Sequence, residues 1–274
     1  MSGDNFGKSK PPSQESANSN IASEDVELLN IHTWAEVIEK IIDETKDEKN
    51  KKRKRQILSQ IDPDKFIRDT TRQGLKILYN KDHLTYRGFV FEGLVLSDME
   101  MSKVNRKISS FISKCFVSPK LAVLKGTSML NPDHVNVQID TNEQTAYVVG
   151  MFEAKVDVMG HSQKHLLKQV DEFYPNLHKI IEHINRNKEA INEKHGFQIP
   201  ANGVKIFSQQ DIMKLIVMPR PDEKETDMKW YENLKSALKE KGWELIASPF
   251  TKKEVTLITK FLIKYYLNKK RKNI

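Results

Sequence analysis

Residues 135–157 read VNVQIDTNEQTAYVVGMFEAKVD. Val135, Val137 and Ile139 alternate with Asn136, Gln138 and Asp140, the period of a strand with one wet face. TNEQ, residues 141–144, is turn-like. Thr145 onward is apolar on both faces, as in a strand buried within a sheet, until Glu153, Ala154 and Lys155 interrupt it. If the turn centres on residues 142–143, positions whose numbers sum to about 285 face each other. Asp133 then lies opposite Phe152 or Glu153, and Asp140 opposite Thr145. Thr145 and Glu153 are roughly 26 Å apart along a strand, at about 3.3 Å per residue. Asp133 is therefore the acid that can reach Glu153, and Asp140 is not. Glu153 and Lys155, two apart, project from one face. Three charged groups thus gather at one end of a central hairpin.

The elements around the hairpin define a class. Residues 1–24 are Ser-, Asn-, Gly- and Pro-rich with almost no large apolar side chains, and are expected to be a disordered tail. Residues 25–83 form a helical, charged segment. Thr33 caps a helix carrying Trp34, Val37, Ile38, Ile41 and Ile42. DETKDEKNKKRKRQ is either the exposed middle of a long helix or a charged break between two, and helical periodicity resumes after Pro63. Residues 84–274 are the folded domain. YRGFVFEGLVLSDMEM is read as helix, because Phe89, Glu92, Leu96 and Met99 share a face, and KISSFISKCF as its continuation. PKLAVLKG, HVNVQID and TAYVVGMFEAKV are three successive strands. A helix capped by Ser162 carries Leu166, Val170 and Phe173 and ends before Pro175, and another runs from about residue 176 to 194. IMKLIVMPR and WELIASP are later strands. KWYENLKSALKEKG is a helix with Gly242 at its C-cap, and KKEVTLITKFLIKYYLNKK is a last helix. This order argues an α/β fold, a mixed central sheet flanked by helices on both faces.

Composition bounds the partners. The 274 residues are 38% hydrophobic and 30% charged, with a net charge of +8 and a pI of about 9.2. That balance favours polyanions, nucleic acid above all. Cys115 is the one cysteine, which excludes an internal disulfide and suits a reduced, cytoplasmic setting. The N-terminal stretch lacks the apolar run of a secretory signal. No segment approaches the roughly 18 apolar residues of a membrane helix, so a soluble protein is expected.

The Asp133, Glu153 and Lys155 cluster has a chemical logic. Adjacent carboxylates raise each other's pKa unless a cation sits between them. A hard cation such as Mg²⁺ takes one or two carboxylates and keeps several waters. It can acidify one of those waters and stabilise charge on a phosphodiester. A neighbouring lysine can orient the attacking water.

This constellation resembles the PD-(D/E)XK nuclease superfamily. The motif here is Pro132-Asp133 followed by Glu153-Ala154-Lys155. The opening helix of that family often carries a glutamate, and GFVFEGLV supplies Glu92. The helix after its third strand often carries a glutamine, and SQKHLLKQVDEFY supplies Gln169 on the face of Leu166 and Phe173. The resemblance spans about residues 84–267. It implies a restriction-endonuclease-like αβββαβ core behind an N-terminal helical extension. It also implies Mg²⁺-dependent hydrolysis of nucleic-acid phosphodiesters, usually DNA, with Mn²⁺ as a substitute metal and RNA as the other polyanion. Asp133 and Glu153 would ligate the metal, with the Ala154 carbonyl as a third ligand, and Lys155 would assist the water. Glu92 and Gln169 would be accessory. Cutting both strands of a duplex usually needs two active sites, which leaves room for a homodimer. Glu44-Thr-Lys46, Asp47-Glu-Lys49, Asp222-Glu-Lys224 and Asp227-Met-Lys229 have the same spacing, but none of these follows an apolar strand.

Each motif has a plainer counterpart. Glu153 and Lys155 could be a structural ion pair at a strand end. Gln169 could satisfy buried backbone, and Glu92 could be a solvated helix residue. Lys51–Arg55, KKRKR, reads as a phosphate contact, a localisation signal or a solvated helix face, and Lys269–Lys272 as a frayed terminus. His161 and His165 have metal-binding spacing but lack a third ligand. Asp157 is read as a solvated loop carboxylate, Cys115 as a buried thiol, and Tyr265 and Tyr266 as helix packing. The alternative function is a non-enzymatic nucleic-acid-binding protein on the same fold. A third is an interaction scaffold using the charged N-terminal helices.

Overall fold

The structure, a computed structural model, describes residues 31–70, 83–101, 113–117, 133–140, 142–157, 161–195, 199–206, 212–221 and 225–272. The expected tail (1–24), the expected strand PKLAVLKG (119–126) and Pro132 lie outside them. Three helices come first: α1 (Trp34–Glu44), α2 (Glu48–Leu58) and α3 (Pro63–Thr70). Thr33 begins α1 with a reciprocal capping box, its hydroxyl accepting from the Glu36 N–H while the Glu36 carboxylate returns to the Thr33 N–H. The charged run is resolved as a break at residues 45–47. There the Asp47 side chain accepts from Asn50 N–H and starts α2.

The long α4 (His83–Met101) follows, then β1 (Ser113–Val117), β2 (His134–Asp140) and β3 (Thr145–Ala154). Residues 113–116, expected to prolong a helix, are a strand instead. β1 pairs antiparallel with β2 from Ser113↔Gln138 to Val117↔His134. A weak local helical pattern yields here to a partner strand that takes up its backbone groups. β2 pairs antiparallel with β3. On the other side of β3 all pairings are parallel: β4 (Val204–Ile206) beside its first half, β5 (Met213–Arg220) beside its second, and β6 (Glu244–Thr251) beyond β5. The short β4 was not foreseen. The strand order is β1-β2-β3-β5-β6, with β4 also on β3.

The crossovers cover one face. They are α5 (His161–Arg186) and α6 (Lys188–His195) between β3 and β4, and α7 (Glu225–Glu240) between β5 and β6. The helix expected to stop before Pro175 runs straight through it. Proline in a helix interior costs about 3 kcal/mol. The stripe of Leu166, Val170, Phe173, Leu177 and Ile181 is buried on both sides of Pro175. Burying Leu177 and Ile181 contributes about 1.5–3 kcal/mol each, enough to carry the helix onward. α7 ends in the motif expected of Gly242. Gly242 has φ 75°, Trp243 N–H donates to Leu238 O and Gly242 N–H to Lys239 O, both at 2.9 Å.

The other face is covered by α1–α4 and by the C-terminal α8 (Lys252–Lys272). Val37, Leu58, Phe66, Phe91 and Phe261 form one core there with Phe152 and Phe250 of the sheet. The second core lies under α5 and α7, where Phe173, Leu177 and Leu234 meet Val148, Met151 and Ile216. The N-terminal helices therefore share a core with the sheet. Among the described residues no helix is long and apolar enough to cross a membrane.

Candidate active site

The hairpin register sets the site. From Asp140↔Thr145 to Val137↔Val148 the paired numbers follow the expected sum. Between Asn136 and Val137 the register shifts, and Asn136 pairs with Gly150, Val135 with Met151 and His134 with Phe152. One extra residue in β3, a bulge, reverses which side chains face which layer. Ala146 and Val148 lie in the α5 core, and beyond the bulge Met151 does too, while Phe152 and Ala154 lie in the opposite core. Glu153 pairs with Ile216, a residue of the α5 core. The bulge is thus what turns Glu153, rather than Phe152, toward the α5 layer, and the shifted register brings Asp133 opposite it. Asp140 stays at the far end, where its Oδ1 accepts from the N–H groups of Asn142 and Glu143 at 2.8 and 3.0 Å.

Asp133 and Glu153 are locked to each other's backbone. Asp133 N–H donates to Glu153 Oε2 at 2.9 Å, and Ala154 N–H donates to Asp133 Oδ2 at 2.9 Å. The Lys155 ammonium pairs with Glu153 Oε1, and Lys155 N–H donates to Val217 O at 3.0 Å, fixing the end of β3 against β5. Glu153 is 3% exposed. Burial, and then the Asp133 carboxylate, push its pKa up to about 8, against the pull of Lys155 and the Asp133 N–H. Burial opposes the Lys155 ammonium, but Glu153, Asp133 and, least, Glu92 outweigh it and hold that pKa above the ordinary lysine value.

Glu92 is a half-buried residue of α4 whose charge reaches Lys155. Gly93 beside it serves packing. A Cβ there would lie 2.7 Å from the Phe66 ring, so glycine lets α3 and α4 approach. Gln169 is buried on α5, and its Oε1 has no hydrogen-bond partner. The structure brings Asp133, Glu153, Ala154 and Lys155 together, with Glu92 in electrostatic reach. Gln169 Oε1 hydrogen-bonds to none of them.

The residues fit a divalent cation on charge. Two carboxylates face one ammonium, and burial first, then the Asp133 carboxylate, push Glu153 upward against the pull of that ammonium. Among the described residues, no three His, Cys, Asp or Glu side chains gather as a ready cation cage. A Mg²⁺ site needs only one or two carboxylates, completed by carbonyl oxygen and water.

Other motifs resolve into structure. Within KKRKR, Lys54 is buried and pairs with Glu254 at 2.6 Å, while Arg53 pairs with Asp98 at 2.7 Å. Lys51 and Arg55 pair with Glu48 and Glu39. Most of the run is thus tied down within the protein. His165 is exposed. Tyr265 packs on Phe261 with ring centroids 5.9 Å apart and donates to Asp64 at 3.2 Å. Asp157 is ion-paired rather than simply solvated: Arg87 of α4 and Lys252 of α8 both bind its carboxylate. No sequence signal marks that pairing, because Arg87 lies 70 positions from Asp157. No protein-family model, curated protein or solved structure matches the chain. The functional reading rests on the site's own geometry.

Proposed function

We propose that the protein is a metal-dependent nuclease that hydrolyses DNA phosphodiester bonds. The observation that carries this reading is the reciprocal lock of Asp133 and Glu153 with Lys155 at the end of β3. Two carboxylates held rigid by backbone hydrogen bonds, one of them buried, form a preorganised hard-cation site beside a lysine. In this reading α4, β1, β2, β3, α5 and β5 are the αβββαβ core of a restriction-endonuclease-like fold. Asp133 and Glu153 hold the metal, with the Ala154 carbonyl as a further ligand. A bound Mg²⁺ supplies Lewis-acid stabilisation and an acidified water. Lys155 orients that water and stabilises negative charge on the scissile phosphate. Glu92 adds a small share, after Glu153 and Asp133, to the field that favours the Lys155 ammonium. Gln169, with an unfilled acceptor, is accessory.

The test is cleavage of supercoiled plasmid in Mg²⁺ or Mn²⁺, with EDTA as the blank. Nicking in metal alone, falling at least ~100-fold in Asp133→Ala, Glu153→Ala and Lys155→Ala, is the expected result. Full cleavage by Asp133→Ala and Lys155→Ala would reject the site. Salt-sensitive binding with no cleavage under any metal would favour the non-enzymatic DNA-binding alternative.

A further inference from the structure

A second charged cluster adjoins the first. Asp157 lies two residues past Lys155, so their Cα atoms are at most ~7 Å apart. Its carboxylate binds two cations from two helices, Arg87 through Nη2 and Lys252 through Nζ. Arg87 Nη1 donates to Thr256 Oγ1 at 3.3 Å, and that hydroxyl donates to Lys252 O at 2.9 Å. Thr256 therefore aims the guanidinium. The Arg87 side chain is 12% exposed, but Asp157 and Lys252 are open at 43% and 51%. Two cations on one carboxylate leave a positive charge over, and Arg87 Nε is buried without a hydrogen-bond partner. A planar guanidinium and an ammonium converging on one oxyanion match a phosphate as well as they match a carboxylate.

The geometry points to a role for Arg87 and Lys252 as the subsite for a DNA backbone phosphate flanking the scissile one, with the Asp157 carboxylate holding that place until substrate displaces it. This inference rests on the nuclease reading of the neighbouring cluster, since that reading puts DNA within one step of Lys155. The exchange breaks no covalent bond. Asp157, half in water already, gives up two ion pairs that phosphate oxygens re-form, and rotates to solvent. The Lys252–Asp157 pair is exposed and so a weak competitor, and a polyanion can displace it.

The experiment is anisotropy titration of a fluorescein-labelled duplex oligonucleotide in EDTA, across a range of salt. Asp157→Asn frees both cations and is expected to bind about tenfold tighter. Its slope of log affinity against log salt should stay close to the wild-type slope, because the same phosphate contact forms in both complexes. Lys252→Ala, at an exposed position that folding tolerates, should weaken binding and flatten the slope by about 0.9, the value for one lost phosphate contact. Asp171→Asn removes the same charge from an exposed pair between Asp171 of α5 and Lys241 just past the end of α7 and should leave both affinity and slope unchanged. If Asp157→Asn alters only melting temperature, or Asp171→Asn tightens binding as much, the carboxylate is a structural staple and the inference fails. Plasmid cleavage by the wild type is read separately. The expected binding changes without cleavage keep the subsite and sink the nuclease, whereas cleavage without those changes sinks the subsite alone.

Discussion

Glu153 is where burial and charge conflict most. Water exclusion and the Asp133 carboxylate both oppose its ionisation, so the folded protein takes up a proton there that an unfolded glutamate would have lost near its ordinary 4.5. The sign follows: between about 4.5 and about 8 the native state binds more protons than the unfolded state, so stability falls as pH rises through that window. In metal-free protein, Glu153→Gln should raise stability at pH 8 by about 1–3 kcal/mol and flatten the decline, measured by urea denaturation at several pH values. A wild-type curve that rises through the window would refute the assignment. Metal competes with the same proton, so Mg²⁺-dependent cleavage by the wild type should climb toward pH 8. Much of this corner was legible in the sequence. Strand periodicity alone paired Asp133 with Phe152 or Glu153 and excluded Asp140. The bulge that decided between the two was not legible, because an unpaired residue in an apolar run such as VVG leaves no mark on composition. Arg87 and Lys252 were invisible for another reason: they meet Asp157 only through tertiary packing of α4 and α8.

At the scale of elements, the readings that held had a local cause and those that failed had a distant one. The Thr33 capping box and the Gly242 C-cap are complete within a few residues. β1, by contrast, exists because β2 pairs with it, and α5 crosses Pro175 because the α5 core rewards Leu177 and Ile181. Gly93 makes the same point about α4. By helix propensity alone, replacing glycine with alanine gains up to about 1 kcal/mol. At Gly88 the added methyl meets nothing within 4 Å, so Gly88→Ala should stabilise by about 0.5–1 kcal/mol. At Gly93 the methyl would sit 2.7 Å from the ring of the buried Phe66, and overpacking costs about 1–3 kcal/mol. Gly93→Ala should therefore lower the melting temperature while Gly88→Ala raises it. Equal shifts of the same sign in thermal denaturation would mean that α3 does not press on α4 as described. Glu92 gives this pair a functional readout, since a displaced α4 moves its charge relative to Lys155.

For the whole molecule, the sequence suggested a charged helical segment before residue 84 leading into the folded domain, and α1–α3 pack into the same core as α8 and one face of the sheet. Lys54, the fourth in a run of five cations, is 3% exposed. It donates to Glu254 Oε1 at 2.6 Å and to Thr45 Oγ1 at 2.9 Å. Glu254 in turn accepts from Thr251 N–H at 2.8 Å and so caps α8. One buried carboxylate thus binds the N-terminal helices to the C-terminal one. Removing a single partner of such a pair strands the other charge, so Lys54→Met should cost about 3 kcal/mol even though a methionine fits the space. Two tryptophans can report whether that loss is local or global. Trp34 lies in α1, with its ring 5.8 Å from Phe261 of α8 and its Nε1–H donating to Leu58 O at 3.1 Å. Trp243 lies across the sheet, 5.6 Å from Phe173. In variants in which Trp230 and one of these two are replaced by phenylalanine, urea transitions followed by fluorescence should coincide, as two cores built on one sheet require. Lys54→Met should move both midpoints down together by about 1 M or more. A Trp34 transition that comes first and alone would instead make the N-terminal helices a unit of their own, attached to the sheet without sharing its stability.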